Sequence, residues 1–308
     1  MIYQELKQAG LFKRLDQENL IYAGISGARI QQLNTDRGPL ILKSTFRGDF
    51  EDRPGLYDSF LREYDFYMLE NKVPVRIPHC LYGSKNQEGC HLVFEAYRPV
   101  DGSAWTPALL DQALDLLADL HTLDREAYRG LDLEDQVLVL EEGALEEAYQ
   151  AWMDLIKSRD LDLNRQTIRD ISLSMDGVVA LLNAGDKVLC HGDFHRENLL
   201  QDDQGLYLCD WQQYKLGLGG EDVAFFLSRG QAEGLDIDQT WFIKTYVDHM
   251  RTRGHKTISS NQVRQVIEAK SLYLSFMEWP YYLGQADPSD IRAIYDKMVI
   301  AYKQIKEI

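Results

Sequence analysis

Short apolar runs bounded by turn residues fill the first hundred positions, and stripes at helical spacing fill most of the remaining two hundred. Residues 20–25, 39–46, 79–83 and 91–97 are short and rich in β-formers, which predicts strands of one small sheet. Between them, residues 54–70 carry Phe60, Tyr64 and Tyr67 at helical spacing, with Pro54 at the start, which predicts a helix packed on that sheet. Residues 98–103 contain Pro99 and Gly102, and the hydrophobic period changes beyond them, so the chain is expected to divide into residues 1–97 and 98–308. In the second part Leu109, Ala113, Leu116 and Leu120 form one helical stripe, and residues 141–156 and 163–182 predict two more helices. One stretch breaks the helical pattern: in residues 187–211 two apolar runs bracket a cluster of His, Asp, Arg, Glu and Asn. The class is α+β, and the chemistry belongs to that cluster.

Length and composition narrow the function. A chain of 308 residues buries roughly 75% of its unfolded surface, enough for one large domain or two lobes sharing a cleft. No apolar run approaches the roughly 18 residues of a membrane span, and residues 1–10 lack the apolar stretch of a secretory signal, so a cytoplasmic protein without a membrane partner is expected. Cys80, Cys90, Cys190 and Cys209 have no CxxC spacing, which argues for buried thiols rather than a zinc site or disulfides. Asp and Glu outnumber Lys and Arg by 49 to 33, a net charge of −16, which argues against nucleic-acid binding and favours cationic ligands.

The motif His191-Gly192-Asp193-Phe194-His195-Arg196-Glu197-Asn198 places an Asn five residues after an Asp, the spacing of a kinase catalytic loop. In such a loop the Asp carboxylate accepts a hydrogen bond from the attacking hydroxyl, and the Asn carbonyl turns back toward a metal ion near the phosphates. Twelve residues past Asn198, Asp210 ends the apolar run of residues 205–209, where its carboxylate meets the same metal. The Asp210-Trp211-Gln212 sequence replaces the Asp-Phe-Gly of protein kinases, and nothing downstream resembles Ala-Pro-Glu, which disfavours a regulated protein kinase. Spacing His191–His195 without the accompanying Glu disfavours a zinc helix and leaves His191 as a brace for the loop backbone. No Walker sequence is present.

Residues 190–211 closely resemble the aminoglycoside phosphotransferase and choline kinase family. Residues 217–224 and 117–121 are similar, in the expected order, to its Gly-rich turn before a helix and to its Leu-Ala-x-Leu-His helix. The resemblance implies a protein-kinase-like bilobal fold, with a small antiparallel-sheet N-lobe holding one helix and a larger, mainly α-helical C-lobe. It also implies transfer of the γ-phosphoryl of Mg²⁺-bound ATP or GTP to a hydroxyl of a small acceptor, with Asp193 as catalytic residue and Asn198 and Asp210 as metal ligands. A catalytically silent nucleotide-binding or scaffold protein of the same fold is the alternative.

In the first part of the chain, Gly24, Ser26 and Gly27 lie in a loop whose amides suit phosphate oxygens and which is similar to the family's Gly-Ser-Gly loop. Lys43, after the run Leu40-Ile41-Leu42, is the candidate phosphate-pairing lysine, and Glu63 its ion-pair partner, with Glu51 and Glu70 competing for that role. The resemblance also implies that Glu95 and Tyr97, at the end of the last run before residue 98, lie where the family's hinge backbone binds the nucleobase. For the acceptor, residues 276–282 combine aromatic faces with a carboxylate, so Glu278, Trp279 and Tyr282 suit a quaternary or protonated amine. ATP against GTP, the acceptor and the oligomeric state stay open.

Overall fold

In the computed structural model, residues 2–23, 27–69, 73–102, 105–131, 133 and 137–306 are described. The chain divides into two compact units: Met1–Leu133 with His191–Tyr214, and Glu134–Cys190 with Lys215–Ile308.

The first unit is built on a five-stranded antiparallel sheet in the order β1-β2-β3-β5-β4, made of β1 (Leu15–Ala23), β2 (Arg29–Thr35), β3 (Gly38–Phe46), β4 (Cys80–Lys85) and β5 (Gly89–Glu95). Alternation along the central strand β3 sends Leu40 and Leu42 into an apolar cluster with Leu33, Val93, Phe12 and Leu6, the last contributed by helix α1 (Ile2–Gln8). The same alternation turns Lys43 to the opposite face. Helix α2 (Pro54–Tyr67) opens with Pro at its first position, where the missing N–H costs no helical bond. Its buried stripe is Phe60, Glu63, Phe66 and Tyr67, so helical spacing carries one carboxylate inward among three rings. Strand β6 (Arg98–Pro99) pairs with β8 (Leu199–Asp202), which pairs with β9 (Gly205–Leu208), and helix α3 (Pro107–His121) is capped by the Thr106 side chain.

Beyond shifts of a few residues at element ends, such as β1 starting at Leu15 and α4 at Ala144, expected and observed elements differ at β2, α1 and residues 98–99. Strand β2 carries Gln31, Gln32 and Asn34, too polar a run to stand out, yet only Leu33 and Thr35 of it are buried. Helix α1 fits about two turns into the alternating N-terminal run. Arg98 and Pro99, expected as linker, are paired strand residues, with Pro99 tolerated on a two-residue edge element.

The second unit is helical: α4 (Ala144–Ser158), α5 (Arg165–Asn183), α6 (Gly220–Ala232), α7 (Gln239–Thr252), α8 (Ser260–Met277), α9 (Trp279–Tyr282) and α10 (Pro288–Lys306), with β7 (Val188–Cys190) pairing antiparallel to β10 (Lys215–Gly217). Helix α8 packs against α5, α6 and α10, and its start is fixed by a reciprocal capping box between Ser259 and Gln262. Trp152, Ile168, Met175, Leu272, Phe276 and Met298 lie within the core so formed, and Trp152 Nε1 donates to the Phe276 carbonyl at 3.2 Å. Among the described residues no helix is long and apolar enough to cross a membrane.

Candidate active site

All of the chemistry-bearing loop and its strand lie in the first unit. The loop turns at Gly192, whose φ of +80° is left-handed and where a Cβ would overlap the Gln213 carbonyl. Only glycine satisfies both conditions. His191 is fully buried and bridges two segments: its Nδ1 accepts from the Asp193 N–H at 3.3 Å and its Nε2 donates to the Cys209 carbonyl at 3.0 Å. That pattern needs a neutral imidazole with the proton on Nε2. It is the brace expected of His191.

Asn198 closes the loop on itself. Its Nδ2 donates to the Asp193 carbonyl at 2.8 Å and to Asp193 Oδ2 at 3.1 Å, which holds the carboxylate and leaves the amide oxygen directed elsewhere. The Asn198 carbonyl accepts the Cys209 N–H at 2.9 Å, so Asn198 sits beside the residue that precedes Asp210. Asp210 itself has a φ of +66°, a left-handed geometry that an Asp tolerates better than most residues and that interrupts the strand where the carboxylate must turn out.

Lys43 lies between two carboxylates, 2.6 Å from Glu63 Oε2 and 3.0 Å from Asp210 Oδ1. Burial alone would lower the lysine pKa, but Asp210 and Glu63 outweigh it and raise the value above 10.5, so the ammonium is fixed. Burial dominates at Glu63 and raises its pKa, whereas at Asp210 the Lys43 charge overcomes burial and the net shift is downward. Asp210 is the ionised partner that keeps contact with solvent, with 36% of its side chain exposed.

Residues that sequence reasoning passed over hold this cluster in place. Trp211 is fully buried and stacks on Phe66 of α2, with ring centroids 4.1 Å apart and planes within 10°, and its Nε1 donates to the Leu208 carbonyl at 3.0 Å. Such stacking contributes roughly 0.5–1.5 kcal/mol beyond the area it buries and ties α2, hence Glu63, to Asp210. Gln212 takes the place of the protein-kinase Gly: it hydrogen-bonds Glu63 and accepts from Ser59 Oγ at 3.5 Å. Arg62 donates to the Tyr214 carbonyl and lies over that ring at 4.6 Å. The Trp-Gln pair after Asp210 was visible only as a departure from Asp-Phe-Gly.

The remaining candidates are dispersed. Gly24 and Ser26 lie outside the described residues, while Gly27 has a φ of +93° and a Cβ there would stand 2.6 Å from Phe50 Cζ. Glu95 ends β5 exposed, its N–H donating to the His79 carbonyl at 3.2 Å and its carboxylate 3.2 Å from His79 Nδ1. The Tyr97 hydroxyl donates to Glu95 Oε2 at 3.4 Å, and its ring packs on Tyr207 at 4.5 Å. In the second unit Glu278, Trp279 and Tyr282 are all exposed where α8 passes into α9, while Phe276 and Pro280 of the same run are buried. Of the four thiols, Cys90 and Cys190 are buried, and burial pushes the Cys90 pKa up to about 12.

A model of the APH phosphotransferase enzyme family matches residues 21–252. The chain belongs to this family. An APH enzyme of the protein-kinase-like fold is a small-molecule phosphotransferase, and solved structures of that fold cover nearly all of this chain. An ADP-bound aminoglycoside phosphotransferase, APH(2'')-Ib, is 14% identical with a TM-score of 0.59, covering 99% of this chain and 98% of that one. The macrolide 2'-phosphotransferase MphH of Brachybacterium faecium is 15% identical with a TM-score of 0.58, covering 97% of each chain. Amicoumacin kinase hAmiN, in complex with AMP-PNP, Ca²⁺ and Ami, is 15% identical with a TM-score of 0.57, covering 99% of this chain and 93% of that one. No curated protein matches the sequence significantly.

Proposed function

We propose that this APH-family protein transfers the γ-phosphoryl of an Mg²⁺-bound ATP or GTP to a hydroxyl of a small, cationic acceptor in the cytoplasm. The observation that carries the proposal is the arrangement of Lys43 between Glu63 and Asp210, in one unit with a loop in which Asn198 positions Asp193. The donor set fits a hard cation: Asp210 supplies an ionised carboxylate and Asn198 an amide oxygen, both oxygen ligands of the kind Mg²⁺ takes alongside phosphates. When bound there, Mg²⁺ would neutralise charge on the phosphates.

The chain's own residues do the rest. Lys43, locked as an ammonium, pairs with phosphate oxygens, and Glu63 holds it in line from inside the sheet–helix interface. Residues 1–97 take the nucleotide, with the Gly24–Gly27 loop over the phosphates and the backbone of Glu95 to Tyr97 along the base, and residues 98–308 supply catalysis and acceptor binding. Asp193 Oδ accepts the hydrogen bond of the acceptor hydroxyl and takes its proton as that oxygen bonds to the γ-phosphorus, while the bond from the γ-phosphorus to the bridging oxygen breaks and the nucleoside diphosphate leaves. Its orientation comes from Asn198 Nδ2, and that of the loop from neutral His191. For the acceptor, Glu278 with the exposed faces of Trp279 and Tyr282, in a chain of net charge −16, favours an amine-bearing alcohol.

The test is Mg²⁺-dependent turnover of ATP and GTP by the full chain with choline, ethanolamine, aminoglycosides, homoserine, thiamine and sugars, with Asp193→Ala as control. Turnover with an amine-bearing alcohol that the variant loses is the expected result. Turnover equal in Asp193→Ala, or nucleotide bound without transfer to any acceptor class, contradicts it.

A further inference from the structure

The second unit contains a pocket of about 590 Å³ whose lining residues all belong to that unit. Among the described lining residues three are lysines, Lys187, Lys215 and Lys270, and one is a carboxylate, Glu221, in a chain whose net charge is −16. Glu221 stands in the first turn of α6, and both of its oxygens are committed. Oε1 accepts the Leu218 N–H at 3.1 Å, and Oε2 lies 2.6 Å from Lys215 Nζ and 3.6 Å from Lys270 Nζ. Gly217 permits this close approach, since a Cβ there would stand 2.8 Å from Oε1. One carboxylate oxygen thus serves two ammonium groups, of which only Lys215 is at hydrogen-bond distance.

An ammonium carries three donors, so the pair presents more N–H groups than Glu221 accepts. The side chains of Lys215 and Lys270 are only 25% and 26% exposed, so water cannot fully compensate them. The consequence is visible at Lys270, whose pKa is lowered, first by burial and next by the charge of Lys215. Val137, Leu138, Val139, Leu182 and Leu216 give the pocket its apolar lining. Asn183 Oδ1 accepts the Leu138 N–H at 2.9 Å and Asn183 Nδ2 donates to the Leu138 carbonyl at 2.8 Å, joining Leu138 to the end of α5. Leu138 is held against the core, and its neighbours Val137 and Val139 are 60% and 70% exposed at the pocket.

We infer that this pocket binds a small molecule with an anionic head group, carboxylate or phosphate, placed between Lys270, Lys215 and Lys187, and an apolar portion lying along Val137 and Val139. A focused positive site in an otherwise acidic protein concentrates such ligands, and the valines add apolar burial to the ionic contact. The inference stands on residues of the second unit alone and does not depend on the phosphoryl-transfer chemistry assigned to the first.

Calorimetric titration of the full chain with hexyl phosphate, hexanoate, hexylammonium and hexanol is the test, with inorganic phosphate to isolate the head group. Hexyl phosphate or hexanoate is expected to bind at least about tenfold tighter than hexylammonium or hexanol, and which of the two wins tells phosphate from carboxylate. Affinity should fall at least about tenfold in Lys270→Met and in Lys187→Glu, the latter a half-buried position that serves should the former fail to fold, and should be kept in Lys43→Met. Equal binding of hexanol, or of hexylammonium in competition with the anionic probe, overturns the inference. So does an anion affinity unmoved by either pocket variant, or one lost in Lys43→Met instead.

Discussion

The two units each contain a partly buried ionic triad, and the triads are opposite in charge. In the first, one ammonium, Lys43, stands between two carboxylates, Glu63 and Asp210; in the second, one carboxylate, Glu221, stands between two ammonium groups, Lys215 and Lys270. Each leaves one charge incompletely matched, and burial makes that mismatch costly. On the readings proposed above, the sign of each mismatch matches the ligand assigned to it: a metal cation at the surplus carboxylate Asp210 and an anion at the surplus ammonium Lys270. The shifts agree, for Lys43 is raised by its two partners while Lys270 is lowered by burial and by its like-charged neighbour.

Removing the central charge of the first triad should have the largest effect. Lys43→Met leaves Glu63 buried without its cation and is expected to destabilise the protein by about 3 kcal/mol, the low end for a broken buried pair because Asp210 retains solvent. Urea unfolding measures it, and a loss under about 1 kcal/mol would mean the pair is not held as described. The pH dependence has a definite sign. Because the folded-state pKa of Lys43 is raised above 10.5, its contribution is complete below that value and disappears only as pH rises through the raised one. The gap between wild type and Lys43→Met should therefore be flat from about pH 7 to about pH 10 and narrow above that.

Asp210→Ala should come next, weakening Mg²⁺-dependent nucleotide binding on the order of 100-fold by removing the charged ligand, with fold and melting curve little changed. Magnesium dependence identical to wild type would refute the ligand assignment. In the second unit Glu221→Gln should cost about 2 kcal/mol in urea unfolding, since it leaves two ammonium groups facing each other. The smallest effect is also the sharpest contrast. Lys270→Met, which removes the surplus cation, should change stability by less than about 1 kcal/mol or raise it, the opposite of Lys43→Met. A loss as large as that of Lys43→Met would end the comparison.

Much of the first triad, and of the Asp193–Asn198 loop in the same unit, was legible in the sequence because its chemistry is local or periodic. The five-residue Asp193–Asn198 spacing, the apolar run ending at Asp210 and the β-strand placing Lys43 are short-range patterns. Glu63 was ambiguous, with Glu51 and Glu70 competing, and helical spacing among Phe60, Phe66 and Tyr67 is what puts it inside while Glu51 is exposed. Strand β2 was missed because Gln31, Gln32 and Asn34 dilute its alternation, and its place is fixed by pairing to β1 and β3 rather than by propensity. The second triad was invisible for a different reason. Lys187, Lys215 and Lys270 span more than eighty positions and lie outside every motif, Glu221 sits in the Gly-rich turn with no charge partner in that stretch, and the pairing of β7 with β10 and the packing of α6 on α8 bring them together.

The central claim is tested most directly by measuring Mg²⁺-nucleotide binding and turnover together in Asp193→Ala. Binding within about threefold of wild type with turnover reduced by roughly 10²- to 10⁴-fold is the expected result, since that change removes the base and leaves Lys43, Asn198 and Asp210. Turnover unchanged in Asp193→Ala would contradict the assignment of Asp193, and with it the phosphoryl-transfer site built around it.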